Sequence, residues 1–151
     1  MRKNIGLFRG KCAGQWLYGY LTINGNGTCQ IWENTDVGFF PAVVNPKTVG
    51  EFTGLTDKNG VKIFEGDILE SFYKDKQIVS VVKYGGFEPE FFYECAEAQG
   101  FFLHGMKLYG LYAYDLAGSE MMFVEDMRQA KIIGNIHDNP KLLGGDDNAA
   151  D

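Results

Sequence analysis

In the segment Gln15–Ile23, QWLYGYLTI, Trp16, Tyr18 and Tyr20 fall at every second position. Only an extended strand turns that period into one face, because successive side chains of a strand alternate between two sides. Asn24-Gly25-Asn26-Gly27 follows, and both residue types tolerate the positive φ of a tight turn. Thr28–Glu33 is then the returning strand, and residues 15–33 form a hairpin. Phe39–Val44 is a further short strand, which Pro41, lacking an N–H, confines to a sheet edge. Asn45–Val49 reads as a turn, or as one turn of helix with Pro46 at its first position.

The second half continues in the same style. Asp57-Lys58-Asn59-Gly60 is the sharpest local signal, a hairpin turn between Glu51–Leu55 and Val61–Phe64 with Gly60 at positive φ. Glu65-Gly66-Asp67 reads as a second turn or bulge before Ile68–Tyr73. Ile78–Tyr84 is a β-branched strand ending at Gly85-Gly86. Phe91–Cys95 and Gly100–His104 read as another pair, Leu108–Tyr114 and Lys131–His137 as strands. Ser119–Arg128 is the one helix expected, with Ser119 as its cap. Gly144–Asp151 is a small acidic tail expected to be disordered. The fold class expected is mainly β: an N-terminal β unit over 1–50, a second domain over 51–143, a tail over 144–151, and one short helix near 119–128.

Composition excludes several classes. With 151 residues, 45% hydrophobic and 23% charged, the chain is an ordinary globular one, not a disordered one. The net charge of −6 is uneven: residues 1–50 carry five basic and two acidic groups, residues 78–151 five and twelve. A nucleic-acid binder needs cations gathered on one surface. Arg2, Lys3, Arg9, Lys11, Lys74, Lys76 and Lys83 would have to converge, so nucleic acid is disfavoured. Cys12, Cys29 and Cys95 form no C-x-x-C pair and read as free thiols that bind no metal. No run reaches the ~20 apolar residues of a membrane helix, and no signal peptide is visible. The expected compartment is the cytoplasm.

Candidate chemical motifs give way to structural readings. Gly6…Gly10-Lys11-Cys12 has three residues between its glycines where a phosphate loop has four, and Cys where it has Ser or Thr. Asp57, Asn59 and Gly60 resemble the middle of a calcium loop, but its first and twelfth positions would be Leu55 and Gly66. His104 and His137 lack the further ligands of a zinc site. Cys95 with either histidine, and the carboxylates Glu88, Glu90, Glu94 and Glu97, offer no arrangement more specific than a buried thiol and a solvated face. No catalytic, cofactor or metal residue is assigned.

The segment Phe52–Asp67, FTGLTDKNGVKIFEGD, resembles the core motif of the YopX family of phage and prophage proteins. Phe8–Lys11 with Gln15–Tyr20 resembles that family's opening, Asn45–Gly50 its link into the motif, and Ile132–Pro140 its closing strand. The likeness covers roughly residues 8–143. It implies a β-rich protein of phages and mobile elements whose C-terminal half resembles an SH3-like barrel, and it carries no catalytic role to any residue here. Within the motif, Asn59-Gly60 makes the turn, Ile63, Phe64, Ile68 and Leu69 pack, and Gly66 permits a bend.

Phe87–Tyr114 matches no motif of that family and is dense in aromatics. Phe87, Phe91, Phe92, Tyr93, Phe101, Phe102, Tyr109 and Tyr112, with Tyr114, form the candidate interaction surface, because consecutive aromatics on a strand occupy both faces. The N-terminal unit, of about 50 residues, is expected to pack its own aromatics. Three functions remain open. The first is a non-enzymatic phage or mobile-element accessory protein that binds a protein or itself. The second is a nucleic-acid-associated small-barrel module. The third is an enzyme or sequestering pocket, for which Trp16 or Trp32 would line an apolar cavity.

Overall fold

The two halves of β2 pair on opposite sides of Gly19, and that bend sets the shape of the first sheet. The structure, a computed structural model, describes residues 7–73, 76–87, 98–108, 121–122 and 129–143. The chain divides into two units, Met1–Gly54 and Leu55–Asp151.

The first unit holds β1 (Phe8–Cys12), β2 (Gln15–Ile23), β3 (Cys29–Thr35), β4 (Gly38–Val44), a 3-10 turn (Pro46–Thr48) and the start of β5 (Gly50–Thr56). Its antiparallel order is β4-β3-β2-β1-β5. Residues 15–19 of β2 pair with β1, and residues 20–23 pair with β3. Gly19 permits the change of partner, since a Cβ there would lie 2.0 Å from the Trp32 carbonyl oxygen. The curled sheet returns toward β1. The Asn45 N–H donates to the Lys11 carbonyl (2.8 Å), and the Lys11 N–H donates to Thr48 Oγ1 (2.8 Å). Asn45 caps the 3-10 turn through its side chain, with Pro46 at the first position as expected. Pro41 lies in β4, which is an edge strand. Buried Cys29, Ile31 and Val44 form the core inside the curl, flanked by Phe8, Cys12, Leu17, Leu21 and Val49.

The second unit begins where β5 passes Gly54 and turns at Asp57–Gly60 into β6 (Lys62–Phe64). Gly60 has φ +82°, and its N–H donates to the Asp57 carbonyl. A sheet of order β10-β9-β8-β7-β11 follows, built from β7 (Asp67–Tyr73), β8 (Lys76–Phe87), β9 (Ala98–Leu108), β10 (Met121–Met122) and β11 (Lys131–Asn135). The paired centre of β7 and β8 is covered on both faces. Ile63, Leu69, Val82 and Ala130 cluster on one side, and Ile68, Val79 and Val81 with Ile133, Ile136 and Leu142 on the other. The run Ile78–Val82, apolar but for the buried Ser80, reflects that two-sided burial. A second 3-10 turn spans Pro140–Leu143.

Mainly β structure is observed, in two open antiparallel sheets; neither closes into a barrel among the described residues. Two expectations need correction. Met121–Met122, inside the segment expected to be a helix, is a strand paired with Leu103 and His104, because pairing to a sheet edge overrides a weak helical period. The remainder of residues 119–128 lies outside the described residues. β8 does not stop at Tyr84: Gly85 and Gly86 pair with Gly100 and Gln99, so ladder bonds hold a stretch whose composition signals a break. Phe8–Cys12 is a strand that its own residues do not announce. The expected strand Phe91–Cys95 and the tail 144–151 lie outside the described residues.

Candidate functional site

Register places one parity of the first sheet on its outer face. On β1 and β2, Arg9 lies opposite Tyr18 and Lys11 opposite Trp16. On β2 and β3, Tyr20 lies opposite Trp32 and Thr22 opposite Gln30. On β3 and β4, Trp32 meets Pro41, Gln30 meets Val43 and Asn34 meets Phe39. The intervening parity carries Leu17, Leu21, Ile31 and Val44 into the core. Tyr18 is 45% exposed, Tyr20 55%, Phe39 51% and Val43 56%. This corrects the expectation that the N-terminal unit packs its own aromatics: its small core is filled by aliphatic side chains and Phe8, and the alternating tyrosines point out. Toward β5 the same face is closed, with Arg9 and Phe52 buried.

The rings are held in place. Trp32 Nε1 donates to Thr22 Oγ1 (3.0 Å), which pins the indole across two strands. The Tyr20 and Phe39 ring centroids stand 5.9 Å apart with the rings tilted by 46°, in contact across the sheet. The Arg9 guanidinium lies 4.6 Å and the Lys11 ammonium 5.5 Å from the Trp16 ring centroid, both within cation–π range. Arg9 and Lys11 are the only charged residues at the paired positions of this face. Glu33, of the inner parity, accepts from the Tyr18 N–H at 3.3 Å.

The motif Phe52–Asp67 does different work. Asp57 is buried, and its Oδ1 accepts from the Asn59 N–H (2.8 Å) and the Val61 N–H (3.0 Å). Its Oδ2 accepts from the Ile132 N–H (3.0 Å), which ties the hairpin to β11 across 75 residues of sequence. The Lys58 N–H donates to the Ala130 carbonyl beside it. Burial pushes the Asp57 carboxyl up, but the three backbone donors and Lys58 outweigh it and hold the group below its ordinary value. Asp67, also buried, accepts from the Phe64 N–H (2.8 Å) across the Glu65-Gly66 turn, where Gly66 has φ +92°. The calcium-like spacing is thus a hairpin whose carboxylate faces its own backbone.

The closing segment is a second knot of this kind. Asn135 Oδ1 accepts from the N–H groups of His137 and Asp138, and Asn139 Oδ1 accepts from the Asn135 N–H. Gly134 is required there, since a Cβ would lie 2.5 Å from Asn139 Oδ1.

The sequence-derived interaction residues fall mostly elsewhere. Phe91, Phe92, Tyr93, Tyr109, Tyr112 and Tyr114 lie outside the described residues. Phe87 pairs in register with Ala98, Phe101 with Tyr84 and Phe102 with Lys83. Of the cations, Arg9 and Lys11 come together on β1, whereas Lys83 is exposed on β8 of the other unit. Gly10, Lys11 and Cys12 of the phosphate-loop resemblance are strand residues. His104 sits on β9 opposite Val81 and Met121. Cys95, Glu88, Glu90, Glu94 and Glu97 lie outside the described residues. Cys12 and Cys29 are free thiols. Among the described residues, no cluster of three or more His, Cys, Asp or Glu is placed to hold a metal, and no helix is long and apolar enough to cross a membrane.

The outer aromatic face escaped the sequence reading, although the period-two placement of Trp16, Tyr18 and Tyr20 signalled it. Alternation identifies a face without saying which way it points.

Comparison with curated proteins returned no match. A family model described as YopX protein matches residues 19–144, from the bend in β2 to the end of the second 3-10 turn. That span takes in both buried-aspartate turns and the closing asparagine knot, and it covers most of the chain: the protein belongs to the YopX family.

Proposed function

We propose that the protein is a non-enzymatic accessory protein of phage or mobile-element origin, working in the cytoplasm of a bacterial host by binding another protein through the outer face of its first sheet. The observation that carries the reading is the exposure of that face. Tyr18, Tyr20 and Phe39 stand about half open on paired strands, beside Val43 and Trp32. Three half-open rings present about 300 Å² of apolar surface, the range in which a monomer's largest patch is often a working one. The family's phage and prophage setting supports the biological context.

A photo-cross-linking residue at position 20 tests the reading in host lysate, with one at exposed Phe72 of the second unit as the reference. Protein adducts at position 20 that are absent from position 72, and lost on Phe39→Ala, are expected. Equal labelling at both positions, or adducts only to nucleic acid, would overturn it.

A further inference from the structure

We infer that the tip of the β3–β4 hairpin is an insertion arm, and that its receptor is an apolar cleft with a cationic rim on a folded partner protein. The inference rests on the reading of the protein as one that binds another protein, and it names the receptor's chemistry. β3 and β4 run on past the core of the first unit. Cys29, Ile31 and Val44 are buried in that core, whereas every residue of Asn34–Pro41 is exposed. The pairs Glu33–Phe40, Asn34–Phe39 and Thr35–Gly38 carry the ladder about 10 Å beyond Trp32 and Pro41. Phe39 and Phe40 are of opposite parity and so stand on opposite faces of the arm, 51% and 52% exposed. Val37, in the turn, is 82% exposed. Apolar groups on both faces and on the tip can all leave water only inside a partner that surrounds the arm; a flat surface covers one face.

The turn singles out Val37. Thr35 Oγ1 donates to the Gly38 carbonyl (2.7 Å) and accepts from the Val37 N–H (3.3 Å), and Gly38 has φ +122°. Thr35, Gly38 and the backbone therefore make the turn, and the Val37 side chain adds nothing to it. Gly, Asn, Asp and Ser are the residues that turns favour, so an exposed isopropyl group at this position has no folding reason. The arm is formed before anything binds, which limits the freedom lost on insertion. Charge selects the receptor. Between Lys11 and Lys47 the chain has two charged residues, Glu33 and Asp36, both acidic and both on the arm. Asp36 is exposed, and its carboxylate makes no hydrogen bond or ion pair with a described residue. An anionic tip is repelled by phosphate, which disfavours nucleic acid and anionic lipid surfaces. Pairing with the β4 edge of a second copy is disfavoured by Pro41, which removes a donor from the middle of that edge. A cleft rimmed by Lys or Arg complements both the apolar groups and the carboxylates.

The test uses the whole protein with a photo-cross-linking residue at position 37, and with one at position 61, where Val61 is exposed beside the Asp57 turn, as the reference. Adducts are formed in host lysate, the captured protein is identified by mass spectrometry, and the cross-linked peptide is mapped. Affinity for the purified captured protein is then measured by fluorescence anisotropy. The expected adduct forms at position 37 and not at position 61, and maps to apolar residues flanked by Lys or Arg. The arm is well short of the about 20–30 residues a side of a standard interface, so a micromolar Kd is expected. Val37→Asn should weaken binding by about tenfold or more while the melting temperature stays level or rises. Asp36→Lys should weaken it comparably, and added salt should weaken binding of the unaltered protein more than that of the variant. Phe72→Ala should change nothing.

Binding indifferent to Val37→Asn or to the Asp36 charge would overturn the inference, as would a mapped site without cations. So would saturable binding to phosphatidylglycerol vesicles or to an oligothymidylate, or a dimer in light scattering that Val37→Asn disperses. A melting temperature lowered by Val37→Asn would give the valine a folding role and remove the case for the arm. If position 37 captures nothing while cross-linking at position 20 still captures protein in a Phe39-dependent way, the arm is not inserted and protein binding through the outer face stands. If both fail, both readings fall.

Discussion

The outer face of the first sheet and the Asp57 hairpin use the same strand alternation in opposite directions. On the first sheet, aromatics point to solvent and aliphatic side chains fill a small core. At the hairpin, a carboxylate points inward and gathers backbone N–H groups from two distant parts of the second unit. The difference separates what is distinctive in the sequence from what is available for binding. The most recognisable motif of the chain, Phe52–Asp67, uses its polar groups to hold its own turns. The exposed aromatic surface is written in plain alternation.

If that contrast is right, the largest effect on stability comes from the hairpin. Asp57→Ala removes the acceptor of three backbone donors in a buried site and should cost about 3–5 kcal/mol in urea denaturation. Asp57→Asn, with one acceptor oxygen, should cost less. The same residue gives a pH signature. Folding holds the Asp57 carboxyl below its ordinary value of 3.8, so the unfolded chain binds that proton more readily. Its contribution is complete above that value and is lost as pH falls below 3.8 toward the folded-state value. Acid titration of stability should therefore flatten in Asp57→Asn. A loss under about 0.5 kcal/mol for Asp57→Ala, the size of an ordinary surface change, would break the comparison.

Two glycines sharpen it. Gly19→Ala directs a methyl at the Trp32 carbonyl oxygen, 2.0 Å away, and backbone must move to admit it. A loss of about 2–3 kcal/mol is expected, with altered tryptophan fluorescence because Tyr20 and Trp32 pair immediately beyond the bend. At Gly60 an added Cβ meets no atom within 4 Å, so the cost of Gly60→Val is chiefly backbone strain at φ +82°. About 1–2 kcal/mol follows, with the fluorescence of the first unit unchanged. Equal fluorescence changes in both variants would mean that the two units do not respond separately.

Local chemistry made much of this fold legible. The turns at Asn24–Gly27 and Asp57–Gly60, the edge position of Pro41 and the capped Pro46 turn each follow from one or two residues and their φ preferences. What stayed hidden depends on distant partners. β1, FRGKC, carries two cations and a glycine, and it becomes a strand by pairing with β2 and β5. Gly85-Gly86 stays extended because β9 lies beside it. Asp57 was legible as a turn residue but not as the acceptor for Ile132, which is 75 positions away. The direction of the aromatic parity was hidden for a related reason. Leu17 and Leu21 alternate with Tyr18 and Tyr20 on the same strand, and either set could have faced inward until the curl of the sheet fixed the volume inside.

The smallest effect on stability belongs to the outer face. Tyr20 and Phe39 are each about half exposed, and they touch one another across the sheet instead of reaching the Ile31 cluster. Removing either ring leaves no cavity and orphans no buried polar group, so Tyr20→Ala and Phe39→Ala should each shift stability by no more than about 0.5 kcal/mol. The double variant should fall short of the sum of the singles' losses by the energy of their mutual contact, about 0.5 kcal/mol or less at so exposed a site. A loss above about 2 kcal/mol for either single change, the scale of a buried ring, would mean that these aromatics hold the first unit together. The outer face would then be a second core, and the contrast with the Asp57 hairpin would disappear. A near-neutral result leaves an apolar surface that contributes little to folding and stays exposed to water, the condition a docking surface has to meet.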